Sequence, residues 1–301
     1  MFSMRLMSRF QDELKSQYIA HSAARYAASI IAKDETTDFD GTGEIWFNDE
    51  YKFRGQSFGE GEFTISNETY DWASGQMKVR YGVIDENKKI NLNTADKNML
   101  KALFEVAAKL EEGAAREFAD VIMDWRDTDS NRRPFGAEKY DYMAGENSYE
   151  CPDAPFQSIE ELQLLKGMTP EIYELIAPYV TVFGDGQINL NTASPVVLST
   201  MGISEQAVNY IYAARIGGDS VEGTEDDTLY NSPAAAISSF SDFIAIEDVT
   251  KLAELNSAKV LGVKAEAFSF MITSVIDQTR GILKIDCVID RKGNILSWFE
   301  R

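Results

Sequence analysis

Ile90-Asn91-Leu92-Asn93-Thr94-Ala95 recurs letter for letter as Ile188-Asn189-Leu190-Asn191-Thr192-Ala193, 98 residues further along a chain of 301. Each copy opens with alternating apolar and polar residues, as a short strand does, and then meets a residue that caps helices well, Asp96 or Ser194. Pro195 falls on a first helical position, where its missing N–H costs nothing. Leu100 and Leu198 then begin an apolar helical stripe at matching places. The repeat reads as a strand-to-helix junction used twice, a structural device with no chemistry of its own.

Working outward, the pattern divides into three parts. Before the first copy, Ala20, Ala24, Ala27, Ala28 and Ile31 put small residues on one face of a helix from Leu14 to Ile31. An acidic turn at 34–43 follows, and then short extended pieces at Ile45-Trp46-Phe47, at 63–65, at 79–84 and at 90–92. The middle is helical by its three-four spacing, with Leu100, Leu103, Phe104, Ala107 and Leu110, then Phe118, Val121, Ile122 and Trp125. The tail alternates again, with Phe268, Phe270 and Ile272, then Leu283, Ile285, Cys287 and Ile289, and a turn at 291–294 leads into a last strand. The expected fold is therefore α+β. Residues 1–94 hold the N-terminal helix and the first strands, 95–261 form an inserted α-helical domain, and 262–301 return to complete an antiparallel sheet.

Composition removes several function classes. Lys+Arg 29 against Asp+Glu 49 gives a net charge of -20, which repels phosphate backbones and anionic membrane surfaces at long range. One histidine, His21, and two cysteines, Cys151 and Cys287, leave no Ser-His, Cys-His or histidine-based zinc site to assemble. No apolar run reaches the length that spans a bilayer, and the charges in residues 1–10 rule out a signal-peptide core. Carboxylates are plentiful, but no pattern singles out two of them as an acid–base pair, so no enzyme is expected.

Further pieces stand in a telling order. Asp85-Glu86 precedes the first hexapeptide, Asp124-Trp125-Arg126-Asp127-Thr128-Asp129 follows it, and then come Gly136-Ala137-Glu138 with Tyr140 and Tyr142, Ser158-Ile159-Glu160-Glu161-Leu162 ahead of Lys166-Gly167, the second hexapeptide, and Trp298. Together these motifs cover nearly the whole chain, which resembles the K-type minor pseudopilin (GspK) family of bacterial type II secretion. The resemblance implies a pilin-like fold, a long N-terminal helix on an antiparallel sheet with a large α-helical domain inserted before the last strands. It implies a capping and initiating role at the pseudopilus tip, contact with I- and J-type minor pseudopilins through the N-terminal helix, and no small-molecule substrate. It places such a protein at the periplasmic face of the inner membrane of a Gram-negative bacterium, held by a single N-terminal anchor that this sequence does not contain. The small-residue face Ala20, Ala24, Ala27, Ala28 and Ile31 is then the expected partner surface, since close helix approach needs small side chains.

Calcium is the one cofactor considered. Asp127, Asp129, Asn131 and Glu138 stand at positions one, three, five and twelve of a calcium-loop spacing, although Arg132 occupies the place of the usual glycine. A solvated acidic loop and a structural Ca²⁺ site both fit that stretch, and the family's helical domain is known for bound calcium. Lys139 departs from the acidic residue often found there and weakens the site. The turn from Asp38 to Asp49 and the acids Glu222 to Asp227 are the next candidates. The rival function is DNA binding by helix-hairpin-helix elements. Gly167-Met168-Thr169 and Gly202-Ile203-Ser204 resemble their Gly-apolar-Gly turns, but the second glycine is lost in both and few basic residues flank them. No nucleic-acid partner is expected.

Overall fold

The computed structural model describes the chain except residues 1, 35–37, 73, 144–147 and 277–281, and the side chains of 2–6, 8 and 9. Helix α1 (Phe2–Ile31) is followed by a turn-rich stretch, a short helix α2 (Glu50–Phe53), and strands β1 (Gln56–Phe58), β2 (Gly61–Asp71), β3 (Gln76–Arg80) and β4 (Ile84–Asp85). The extended piece expected at Ile45-Trp46-Phe47 is a turn. Its aromatics are apolar because Trp46 and Phe47 plug the core, Trp46 meeting Phe268 edge-on, and not because they alternate along a sheet. Asp49 caps α2 by accepting from the Lys52 N–H, which uses up one end of the Asp38 to Asp49 spacing.

Beyond β4 the chain enters a second compact unit made of residues 87–214 and 230–263. Its elements are β5 (Ile90–Asn91), α3 (Lys97–Val106), α4 (Glu112–Arg126), α5 (Lys139–Met143), a 3-10 helix (Ile159–Leu164), α6 (Pro170–Ile176), β6 (Val180–Thr181), β7 (Ile188–Asn189), α7 (Pro195–Ser199), α8 (Glu205–Arg215), α9 (Pro233–Phe240), α10 (Ile246–Ser257) and β8 (Leu261–Gly262). Helices α7 and α8 are separated at Met201-Gly202-Ile203, where Gly202 takes a positive φ of 74°.

This order is one module used twice. Each hexapeptide opens a module, launches two helices, and is closed by a strand pairing parallel to the first, β5 with β6 and β7 with β8. The asparagines explain why the repeat is literal. The Asn93 amide donates to the Phe156 carbonyl (2.9 Å) and accepts from the Phe156 N–H (2.8 Å). Asn191 makes the same two-way clamp on Tyr230, at 2.9 Å in both directions. Asn91 and Asn189 in turn accept from the Asn93 and Asn191 N–H groups, at 2.9 Å each, and fix the turn between them. Two residues past each clamped aromatic stands a serine that caps the next helical turn, Ser158 or Ser232. A primary amide offers its donor and its acceptor on two separate atoms that reach the C=O and the N–H of one residue together, and an ionised Asp, which only accepts, cannot make both bonds.

The last strands, β9 (Ala267–Val275), β10 (Ile282–Asp290) and β11 (Ile295–Glu300), rejoin the first compact unit, which comprises residues 1–86, 215–229 and 264–301. The sheet runs β1-β2-β9-β10-β11 and is antiparallel throughout, with β3 beside β2 and β4 beside β9. Burial alternates along β9 and β10, and the inward residues Phe268, Phe270, Ile272, Ile285, Cys287 and Ile289 share a core with Ile19, Ala20, Ala23, Ala24, Ala27 and Ile31 of α1. Small side chains on α1 let that helix lie close to the sheet. The fold is thus the long helix on an antiparallel sheet with an inserted helical unit that the pattern predicts. Contacts set that unit at 87–214 and 230–263, and residues 215–229 pack within the sheet-bearing unit.

Candidate functional site

Helix α4 ends at Arg126, whose guanidinium donates to the carbonyls of Leu92 and Ala95 and ties the helix end to the first hexapeptide. The loop beyond it is acidic and only partly neutralised. Arg133 serves two carboxylates, pairing with the fully buried Asp124 and with one oxygen of Asp127. Gly136 fits beside Asp124 because it lacks a Cβ, which would stand 1.8 Å from an Asp124 oxygen. The other Asp127 oxygen, both Glu138 oxygens and one Asp153 oxygen are buried with no hydrogen-bond partner among the described residues.

Glu138 is the centre of this group. It is 4% exposed, and burial first, then the charges of Asp124, Asp153, Asp127 and Asp129, push its carboxyl up to about 7. Carboxyl oxygens of Glu138 and Asp153 and the sulfur of Cys151 lie within 4.8 Å of one another. Buried carboxylates without donors are costly, and a divalent cation removes that cost by supplying charge and coordination together. The available donors are hard oxygens, which suit Ca²⁺. Burial pushes the Cys151 thiol up to about 12, so it stands as a neutral thiol beside the oxygens and not as a thiolate ligand.

Of the four residues singled out by loop spacing, Glu138 stands in the group with Cys151 and Asp153, and Asp127 and Asp129 act on it by charge. Asn131 is exposed and gives only its backbone N–H, to Asp129. Asp153 was missed. It lies on the returning limb of the loop, 15 residues past Glu138, with a positive φ of 44°, and a contiguous ligand spacing cannot find it. The two other acidic stretches are internally satisfied to a larger degree. Asp40 is held by Arg291 and the Ala265 N–H, and Glu222 by Arg80 and Arg215.

The expected partner surface needs correction. Ala20, Ala24, Ala27 and Ile31 are between 0% and 2% exposed in the chain's own core, and Ala28 is half-buried against Gly293. The exposed face of α1 is the opposite one, carrying Met7, Phe10, Leu14 and Tyr18 at helical spacing.

The helix-hairpin-helix turn at Gly202-Ile203-Ser204 has an occupant of its own. Asp248, near the start of α10, accepts from the Ser204 N–H (2.8 Å) and the Ser204 hydroxyl (2.6 Å). A carboxylate therefore fills the place at the start of α8 where a phosphate would be held.

Comparison with known proteins agrees with this geometry. Residues 82–185, which contain the first module, match the family described as Type II secretion system (T2SS), protein K. Type II secretion system protein K of Klebsiella pneumoniae is 36% identical over 83 residues, 27% of this chain and 26% of that one. The protein of the same name from Pseudomonas aeruginosa is 29% identical over 137 residues, covering 42% and 40%. The matched stretches thus span less than half the length of these relatives. A chain in the crystal structure of the GspK-GspI-GspJ complex from the enterotoxigenic Escherichia coli type 2 secretion system has the same fold, with a TM-score of 0.69 at 15% identity over 99% of this chain and 98% of that one. The first module is thus similar to that of type II secretion system protein K, and the chain as a whole shares the fold of the solved relative.

Proposed function

We propose that this protein is a minor pseudopilin, a structural and non-catalytic subunit that assembles with I- and J-type minor pseudopilins at the tip of a type II secretion pseudopilus, on the periplasmic side of a Gram-negative inner membrane. The match of residues 82–185 to the protein K family carries the reading. The solved relative, a complex with GspI and GspJ, supports the choice of partners. The outward stripe Met7, Phe10, Leu14 and Tyr18 supports a docking face on α1, because an exposed apolar row on one helix side gains by packing against another helix.

Co-purification with the matching I- and J-type subunits tests this reading. Leu14→Asp with Tyr18→Asp is expected to abolish the ternary complex while leaving the melting temperature unchanged, since both side chains are exposed. Ala24→Asp is expected to unfold the protein instead, because it buries an unpaired carboxylate at a position 2% exposed. Retention of the complex by the double variant would overturn the assignment of the face.

The helical unit, in the same reading, carries a structural Ca²⁺ held by Asp127, Glu138 and Asp153, with Asp129 as an outer contributor. The bound ion would supply positive charge to a carboxylate cluster whose four buried oxygens have no hydrogen-bond partner among the described residues. Isothermal titration of the chelator-treated protein with Ca²⁺, and its loss in Glu138→Gln, tests the assignment.

A further inference from the structure

Where α1 passes the edge of the sheet, Ser22, Arg25 and Tyr26 of the helix and Gln56, Ser57 and Phe58 of β1 border a groove of about 390 Å³ floored by Phe63. The floor is apolar. Phe63 is 3% exposed, and Tyr26 meets it edge-on with ring centroids 5.5 Å apart. One wall is an open strand edge, for β1 is the outermost strand, and its partner β2 occupies only its inner side. A strand edge offers a row of backbone donors and acceptors to another extended chain.

The rim adds a charge preference. Acids outnumber bases by 49 to 29 in this chain, and neighbouring cations have found carboxylates, Lys15 with Glu60 and Arg54 with Glu50. Arg25 has no carboxylate partner among the described residues, although it is exposed on the rim. An exposed guanidinium beside an apolar slot suits a ligand that brings its own carboxylate. The groove also continues the outward stripe of α1, since Ser22 and Arg25 follow Tyr18 by four and seven residues on the same helix side.

We propose that this groove receives an extended, acidic segment of a neighbouring minor pseudopilin, which lays its main chain along β1, seats an apolar side chain on Phe63 and places a carboxylate on Arg25. The proposal rests on the pseudopilin reading above, and deepens it by adding a strand-edge contact to the helix contact.

Affinity of the full chain for the co-expressed I- and J-type subunits is the test, with Arg25→Glu, Arg25→Lys and Ser57→Pro beside the Leu14→Asp/Tyr18→Asp variant. Reversal at Arg25 is expected to weaken the complex roughly tenfold or more, and lysine to keep most of the affinity. Ser57→Pro, which removes an edge N–H, is expected to weaken it too. A photo-crosslinker at Ser57 should then trap the I- or J-type chain in the unsubstituted background. If Ser57→Pro does not fold, the Arg25 pair still decides, since that side chain is exposed. Parent-like affinity in Arg25→Glu, with the complex lost in the α1 double variant, overturns the groove and leaves the pseudopilin reading standing. Failure of the unsubstituted chain to bind either subunit overturns both. Self-association of this chain abolished by Arg25→Glu, with a crosslink to itself, would put a second copy in the groove and overturn the proposed occupant.

Discussion

The two modules of the helical unit solve the same problem in different ways. Each must run from the second helix of its hairpin to a clamped aromatic residue, Phe156 or Tyr230, through a stretch rich in acids. In the second module the acids find protein donors. Asp226 accepts from the N–H groups of Gly218 and Asp219 and from the Thr224 hydroxyl, and Asp227 from the Gly223 N–H and the Thr42 hydroxyl. Only one Asp227 oxygen is left over there. In the first module four carboxyl oxygens from Asp127, Glu138 and Asp153 are left over, and burial, with the neighbouring charges adding to it, raises Glu138 to about 7. The stretch 215–229, packed within the sheet-bearing unit, satisfies its acids with backbone N–H groups, hydroxyls and two arginines, whereas the loop of nearly thirty residues gathers acids from both limbs and leaves them facing one another.

The largest effect should come from the feature the modules share. Asn191→Ala removes two hydrogen bonds at a position 1% exposed and strands the Tyr230 N–H and C=O, a loss of about 2–4 kcal/mol by denaturant unfolding. Asn93→Ala should cost less, because its site is only half-buried and water can reach the freed groups. Equal losses would mean that burial does not distinguish the clamps.

Next comes the difference between the loops. Ca²⁺ at a hundred times its dissociation constant should stabilise the protein by about 2.7 kcal/mol, read as a rise in melting temperature over the chelator-treated sample. Glu138→Gln with Asp153→Asn should erase that rise. Asp226→Asn should preserve it, since the second loop relies on protein donors. A calcium response that survives the first pair and vanishes with Asp226 would reverse the assignment of the loops.

The smallest expected effect is on pH dependence without metal. Glu138 has its folded pKa raised from 4.5 to about 7, so between those values the folded state holds a proton that the unfolded chain has released. Metal-free protein should therefore lose stability through this group as pH rises from about 4.5 to about 7. Ca²⁺ favours the carboxylate and should reverse that slope. Thermal melts across this range, with and without Ca²⁺ and in Glu138→Gln, measure it. A metal-free slope unchanged in Glu138→Gln would assign it to another group.

Much of this architecture is written in local pattern. The hexapeptide, its caps at Asp96 and Ser194, and the alternation of β9 and β10 follow from rules that act within a few residues. What escaped depends on tertiary partners. Ala20 to Ile31 has the composition of a docking face, and a helix lying on its own sheet needs the same small side chains, so only the exposed positions opposite separate the two cases. Trp46 and Phe47 read as a strand because apolar pairs are common to strands and to core plugs. Spacing puts Asp127 and Glu138 on one loop but cannot find Asp153, because the fold of the loop and not its sequence interval brings it beside Glu138. Why the asparagines repeat became clear only with the residues they hold, Phe156 and Tyr230, more than 35 positions away.

The pairing of Ile84 with Ser269 and Asp85 with Phe268 makes β4 and β9 antiparallel neighbours over two residue pairs. Such partners sit about 5 Å apart, the span a two-residue hairpin turn bridges. The strand register on either side is consequently indifferent to how many residues intervene, and a folded insert brings its own ends together and avoids the loop-closure entropy that a flexible one would cost. A folded domain with closely spaced ends could therefore be grafted between Asp85 and Phe268 with β2, β9 and β10 keeping their alignment, provided that 215–229, which packs with the sheet, is retained.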